Sequence, residues 1–476
     1  MTERRVDVAI IGAGSAGLAA HASARRLTAS VLMIEGGVYG TTCARVGCMP
    51  SKLLIAAGDS RQGIAEAGIF GIRVGDVAVD GAAVMRRVQS LRDYFVGGVL
   101  ASVAKIPETE RLAGHARFEA PLSLRVGDVG IQAKSIVIAT GSAPFVPDAF
   151  RDIGDRLLTT DSLFELPTLP TSLAVVGGGV IGLELGQALH RLGVRVRLFH
   201  RSASLGAGGD AVIAALATKL FTASLPCELS TDAQPLSHDA AGVDIAWHDA
   251  GGTARNERFE YVLVATGRRP RLEALDLAKA GIALDAHGVP TFDPATMRCG
   301  ESAIFLAGDV DGQRAMLHEA TESGRIAGEN AARFPEVATH RRTPRLAIGF
   351  TSPQFAVVGA SLSECDPAQT AIGEVSFADQ GRSRVIAQNV GLGRLYGDRS
   401  SGRLLGAQLL GPAAEHLAHL LAWAIAQELT VQQMLDLPFY HPVIEEGLRT
   451  ALKDLRRELK RKPAPARDAM DCGPGT

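Results

Sequence analysis

Val6-Asp7-Val8-Ala9-Ile10-Ile11-Gly12-Ala13-Gly14-Ser15-Ala16-Gly17 is an apolar run that stops at a glycine turn and continues into an alanine-rich stretch. The pattern predicts a buried strand, a tight turn and a helix. In such a turn the first glycine permits the bend, the second lets a pyrophosphate approach the backbone, and the third lets helix and strand pack closely. The phosphate then faces the helix N-terminus. Val31-Leu32-Met33-Ile34-Glu35 reads as a second strand ending in an acid, and Glu35 can hydrogen-bond ribose hydroxyls.

The same construction recurs. Leu173-Ala174-Val175-Val176 runs into Gly177-Gly178-Gly179-Val180-Ile181-Gly182, a helix through Leu192 and a strand from Val194 to Phe199. Each unit is followed by an apolar strand ending in Ala-Thr-Gly, at Ala139-Thr140-Gly141 and at Ala265-Thr266-Gly267. A further apolar strand, Ala303 to Ala307, ends in Gly308-Asp309, where an acid suits a ribityl hydroxyl. Two dinucleotide sites imply two dinucleotides, and the economical pairing is FAD with NAD or NADP.

Between the first two strands and the second unit lies Gly40-Thr41-Thr42-Cys43-Ala44-Arg45-Val46-Gly47-Cys48-Met49-Pro50-Ser51-Lys52. Two thiols beside a redox cofactor can exchange two electrons by opening and closing one disulfide. A zinc site would need two further ligands nearby, which this stretch does not offer, so no metal is expected.

Composition sets bounds on the rest. A chain of 476 residues is long enough for about three domains. With 46% hydrophobic and 21% charged residues it can bury a sizeable core, and a net charge of -2 gives no electrostatic reason to expect nucleic acid or an anionic membrane. No apolar run reaches the roughly 18 residues of a membrane span. The N-terminus imitates a signal peptide, but cleavage near Ala24 would delete the first fingerprint. Cys227, Cys299, Cys365 and Cys472 are scattered, which suits a reducing cytoplasm. From about Pro344 the texture changes to short β-rich pieces and a helical stretch from Ala413 to about Gln427, read as a separate α+β domain. Lys460 to Thr476 reads as a loose tail.

In this order the motifs resemble the FAD-dependent pyridine nucleotide-disulfide oxidoreductases, over roughly residues 5 to 455. The most specific element is the block from Gly40 to Lys52, and the dihydrolipoamide dehydrogenases are the nearest branch; glutathione and mercuric reductases are other members. The resemblance implies an α/β architecture with two Rossmann-like dinucleotide-binding domains, of the glutathione reductase type, and a C-terminal α+β dimerisation domain. It implies an FAD domain from 1–148 and 275–343, an NAD(P) domain over 149–274, an interface domain over 344–459, and a flexible tail over 460–476. Electrons would pass between a dithiol or disulfide substrate, small or carried on a lipoyl protein, the Cys43–Cys48 pair, FAD and NAD(P).

Residue roles follow from the same resemblance. Cys43 would exchange with substrate, and Cys48 would lie against the flavin as the charge-transfer thiolate. Lys52 would sit near the reactive flavin nitrogen, paired with Glu184. His441 would be the catalytic base, oriented by Glu446 and set opposite the disulfide of the other subunit, so that a homodimer shares its active sites. FAD would be held by Gly12, Gly14, Ser15, Ala16, Gly17, Glu35, Gly36, Thr42, Lys52, Thr140, Gly141, Gly308, Asp309, Met316, Leu317 and His318. NAD(P) would be held by Gly177, Gly179, Val180, Ile181, Gly182, His200, Arg201, Ala265, Thr266 and Gly267.

Three positions depart from the family pattern. Phe439 stands where many dihydrolipoamide dehydrogenases carry a second histidine. Cys472 is single, where mercuric reductases carry a C-terminal pair. His200 stands as far beyond Gly177 as Glu35 stands beyond Gly12, and Arg201 follows it. An acid there binds the ribose 2′-hydroxyl of NAD, whereas a basic group accommodates the phosphate of NADP. Weaker NAD discrimination than in the lipoamide enzymes is therefore expected. An NADPH-dependent disulfide reductase, or a mercuric reductase-like enzyme, is the alternative activity. A flavoprotein without turnover would not require Cys43, Cys48, Lys52, His441 and Glu446 together.

Overall fold

The computed structural model describes residues 2–206 and 209–460; the Cys472 and tail expectations therefore fall outside the described residues, Lys460 apart. The described residues divide into two compact units, 2–203 with 225–342, and 204–206 and 209–224 with 343–460.

In the first unit, β1 (Thr2–Ile11) leads into α1 (Ser15–Ala24) and β2 (Val31–Glu35). A seven-stranded sheet places β1 between β2 and Val129–Ile138, all parallel, and Ile304–Leu306 joins the far side of Val129–Ile138. Val8 to Ile11 are buried because parallel strands are covered on both faces. The second nucleotide fold repeats this arrangement. Cys227–Leu229, Arg195–His200, Ser172–Val176, Tyr261–Val264 and Leu157–Leu158 form a five-stranded parallel sheet in that spatial order.

The register explains both the glycines and the Ala-Thr-Gly repeats. Ile11 pairs with Ile138, so the carbonyl of Ala139 lies beneath Gly12, where a Cβ would meet it at 2.3 Å. Val176 pairs with Val264, and a Cβ on Gly177 would lie 2.3 Å from the carbonyl oxygen of Ala265. Gly12 and Gly177 also have φ of +108° and +118°, which only glycine adopts freely. A Cβ on Gly17 would stand 1.8 Å from the carbonyl oxygen of Gly12, so helix and turn touch backbone to backbone. Gly17→Ala is therefore expected to destabilise the first unit by about 2 kcal/mol or more, read as a lowered denaturation midpoint and loss of bound flavin. An unchanged midpoint would contradict the close approach.

The second unit holds an antiparallel five-stranded sheet in the order Leu346–Gly349, Gln354–Gly359, Leu404–Gly411, Leu392–Asp398 and Thr370–Ser376. Helices Ala414–Ala426 and Glu446–Lys460 contribute Leu417, Leu421, Leu448, Leu452 and Leu455 to its core. The helix Ala211–Ser224, in sequence part of the stretch 149–274, belongs to this unit. Its preceding residue explains why. Asp210 is fully buried, accepts from Arg394 Nη1 at 2.6 Å and from Tyr396 Oη at 2.9 Å, and also accepts from the Val212 N–H at 2.9 Å. A buried carboxylate satisfied this completely stays ionised, and its pKa lies below the usual range through these partners although burial opposes them.

Candidate active site

The two thiols are brought to neighbouring helix ends. Thr42–Arg45 forms one helical turn, α2, whose N-cap Thr41 accepts from the Ala44 N–H at 3.3 Å, and α3 (Cys48–Glu66) begins with Cys48. Gly47 lets the chain fold back, since a Cβ there would come within 3.1 Å of Cys43 Cα. Both thiols are free in this structure. Cys43 donates its proton toward Cys48, and this bond together with burial holds the Cys43 thiol well above its usual pKa. The same bond, with Lys52 nearby, draws Cys48 down to about 6 against the opposing effect of burial. The reduced pair is thus polarised, with the proton on Cys43 and the negative charge on Cys48. In the reduced protein, ultraviolet thiolate absorbance is expected to appear with a midpoint near pH 6 and to vanish in Cys48→Ser. A single midpoint at the ordinary thiol value of 9.0 would contradict the polarisation.

Lys52 follows one turn along α3, and its Nζ donates to Glu184 Oε2 at 2.7 Å. Glu184, on the helix Val180–Arg191, is buried, so the cation balances a carboxylate withdrawn from water. The pair fixes a positive charge beside the thiols, although the partners are 132 positions apart.

A cavity of about 740 Å³ in the first unit is lined by Gly12, Gly14, Glu35, Gly36, Thr42, Thr140 and Gly141 among the predicted FAD residues. Ser15, Ala16 and Gly17 open α1 and are not part of its lining. The features fit a dinucleotide. A Cβ on Gly14 would meet nothing within 4 Å, leaving the helix N-terminus open. Glu35 Oε2 accepts from the Ala13 N–H at 2.7 Å, which aligns the carboxylate with the glycine turn. Thr140 Oγ1 is buried with no hydrogen-bond partner among the described residues, a polar atom awaiting one. Asp309 is approached from another direction: its Oδ2 accepts from Ser142 Oγ at 3.2 Å, and Ser142 Oγ accepts from Arg268 Nε at 2.8 Å. Gly308, with φ +80°, packs against α1, where a Cβ would fall 2.7 Å from Ala16 Cβ. Met316 is the N-cap of the helix Leu317–Arg333, and Leu317 and His318 are exposed on its first turn.

A second cavity, of about 500 Å³, is lined by Gly177, Gly179, Val180, Ile181, His200, Arg201, Ala265, Thr266 and Gly267. Gly182 is behind the loop, where its Cβ would strike the Gly177 carbonyl oxygen at 1.9 Å. His200 takes over the part Glu35 plays in the first nucleotide fold: its Nδ1 accepts from the Gly178 N–H at 3.1 Å. Arg201 Nε donates to Asp232 Oδ1 at 2.7 Å, so the cation read from the sequence already has an anionic neighbour. Sequence reasoning missed Asp232, Arg268 and Phe145. Pro144 and Phe145 line both cavities, and Arg269 stacks 3.7 Å above the Phe145 ring. No local motif marks these residues, because they come from separate connecting segments.

In the second unit His441 Nδ1 meets Glu446 Oε2 at 3.0 Å and Oε1 at 3.1 Å. That contact, with the Val443 N–H at 3.3 Å, holds the Glu446 carboxyl below its usual range. The bond directs the imidazole's remaining nitrogen outward, and the side chain is 80% exposed. Phe439 is part-buried against the core of the unit, with Arg449 5.9 Å from its ring. Among the described residues no helix is long and apolar enough to cross a membrane.

Two nucleotide-binding folds with a thiol pair and a buried ion pair beside one of them define a dithiol–disulfide oxidoreductase that works with bound dinucleotides. Residues 6–324 match the pyridine nucleotide-disulphide oxidoreductase family, and residues 346–452 match the dimerisation domain of that family. The dihydrolipoyl dehydrogenase of Thermus scotoductus is 32% identical over 460 residues, covering 95% of this chain and 98% of that protein. The Bacillus subtilis enzyme of the same name is 30% identical over 459 residues, covering 94% and 98%. Among solved structures, LpdA from Mycobacterium tuberculosis shares the fold with a TM-score of 0.79 at 24% identity, covering 95% of this chain and 99% of that one. The HOCl-induced flavoprotein disulfide reductase RclA from Escherichia coli does so with a TM-score of 0.77 at 23% identity, covering 94% and 99%. The chain belongs to the pyridine nucleotide-disulphide oxidoreductase family, whose members use FAD and NAD(P).

Proposed function

We propose that the chain is a dihydrolipoyl dehydrogenase, oxidising a dithiol through the Cys43–Cys48 pair. The observation that carries this reading is the thiol pair on neighbouring helix ends, folded together at Gly47, with the Lys52–Glu184 ion pair one turn along α3; in it Cys48 is the sulfur that leaves as a thiolate and Cys43 the one that substrate attacks. In the oxidised enzyme a substrate thiolate attacks Cys43, the sulfur–sulfur bond breaks, and its electron pair leaves on Cys48. The second substrate thiolate then displaces Cys43, closing the substrate disulfide. One proton remains on Cys43 and the negative charge on Cys48. His441 takes the proton of the attacking thiol, and Glu446 fixes the ring so that the accepting nitrogen faces outward. FAD, which the cavity lined by Gly12, Gly14, Glu35 and Thr140 would hold, would supply a two-electron carrier between the thiol pair and a nicotinamide dinucleotide.

The working form in this reading is a homodimer in which His441 serves the thiol pair of the other copy. The dimerisation-domain match supports it. So does the exposure of Leu420, Trp423, Leu437 and Tyr440 on the unit that carries His441, an apolar surface of the kind that subunit contacts cover. The scattered remaining thiols suit a cytoplasmic setting. A second reading, an NADPH-dependent disulfide reductase, is favoured by His200 and Arg201 in place of an acid and by Phe439 in place of a histidine. Stopped-flow reduction with dihydrolipoamide, NADH and NADPH in parallel separates the two. Fast reduction by dihydrolipoamide followed by NAD⁺ turnover is expected. Reduction by NADPH alone, with turnover of a disulfide and none of the dithiol, would establish the second reading instead.

A further inference from the structure

The cleft formed by the second fingerprint has a charge arrangement that its sequence motif does not disclose. In the first nucleotide fold Glu35 presents acceptor oxygens at the end of the second strand. At the matching place His200 Nδ1 accepts from the Gly178 N–H, so the ring proton is assigned to Nε2 and the residue presents no carboxylate oxygens. The device by which an acid selects a free 2′-hydroxyl is therefore absent, and selection between NAD and NADP falls to the neighbouring charges. Arg201, Asp232 and Arg268 line the cleft, and of these Arg201 and Asp232 pair with each other.

Their juxtaposition is fixed by the backbone. Thr231 N–H donates to the carbonyl oxygen of His200 at 3.1 Å and Ser230 N–H to that of Ser202 at 3.2 Å, which lays residues 230–232 along the end of the strand that carries Arg201. Arg201 Nε then donates to Asp232 Oδ1 at 2.7 Å, and Gln234 Nε2 donates to Asp232 Oδ2 at 2.9 Å. Gln234 thus holds the carboxylate in place against the guanidinium. A 2′-phosphate approaching Arg201 would have to compete with this carboxylate and would be repelled by it.

We propose that Asp232 is a specificity-determining residue, opposing NADP by engaging Arg201 and by setting a negative charge where the 2′-phosphate would come. This rests on the reading of the cleft as the nicotinamide dinucleotide site. The test is equilibrium binding of NADP⁺ and NAD⁺ to the FAD-loaded protein, and of 2′,5′-ADP and 5′-AMP as fragments, in the unaltered chain, Asp232→Asn, Arg201→Gln and the double variant. Asp232 is a half-exposed surface group, so the substitution spares the fold. In Asp232→Asn the Kd ratio of NADP⁺ to NAD⁺ is expected to fall about tenfold, with the same change for 2′,5′-ADP against 5′-AMP. The gain should shrink at high ionic strength, because the groups are solvent-exposed, and should be lost when Arg201→Gln is added. A ratio unchanged within twofold overturns the proposal, and a gain that survives Arg201→Gln intact overturns the part given to Arg201. If neither nucleotide nor fragment binds, or binding is insensitive to Gly179→Val, it is the assignment of the cleft that fails.

Discussion

Cys43→Ser is expected to slow dithiol oxidation by about a thousandfold or more, since the sulfur that substrate attacks is not replaced by its neighbours, while the purified protein stays yellow. Serine keeps the size and the hydrogen-bonding capacity of the side chain but cannot form the mixed disulfide through which exchange runs. The cavity that fits the dinucleotide includes neither Cys43 nor Cys48 in its lining, so cofactor retention and exchange are separable measurements. Cys48→Ser should be as slow for a different reason. It removes the sulfur whose charge is stabilised by the Cys43 hydrogen bond and by Lys52. Dithiol turnover by Cys43→Ser at near the original rate would show that electrons reach the flavin without the sulfur pair.

The second large effect belongs to His441. A substrate thiol with a pKa of about 8.5 is mostly protonated at neutral pH, so removing the base in His441→Ala should lower kcat/KM for the dithiol by about 10²- to 10⁴-fold. The sign of the pH dependence identifies the cause. Without the base, turnover depends on thiolate already present in solution, so the residual rate should climb through alkaline pH toward the substrate's own pKa and the deficit should narrow. A deficit constant across pH would instead mean that His441 serves packing or subunit contact. Glu446→Gln should cost less, about tenfold, because the base remains and only its orientation is lost. Glu446 is held ionised below the usual carboxylate range by His441 and the Val443 N–H. The unaltered enzyme therefore keeps this partner charged well into acid pH.

How much of this was legible beforehand depends on the distance in sequence over which each feature is assembled. The glycine turns were legible because their constraint is local: Gly12 and Gly17 meet within one turn of chain, and a Cβ at either would strike backbone. The repeated Ala-Thr-Gly runs are visible in the sequence, but their steric part is not, because it depends on the register that places Ala139 beneath Gly12 and Ala265 beneath Gly177. The thiol pair was local too. The Lys52–Glu184 contact came from family resemblance, since nothing in the sequence pattern ties residues 132 positions apart. The sequence shows Arg201 as a basic group but not its anionic neighbour, which enters 31 positions later. Nothing in the sequence marks the helix Ala211–Ser224 as a partner of the second unit, because the tie is made by the buried Asp210 and an arginine 184 positions away.

The most direct test is an anaerobic reductive titration of the purified holoprotein with parallel thiol counting. The account predicts that each chain accepts two pairs of electrons, one for the sulfur pair and one for the flavin. The first pair should yield two new titratable thiols and long-wavelength absorbance before the yellow colour bleaches. A protein that bleaches on the first pair of electrons, with no thiols gained, would contradict it.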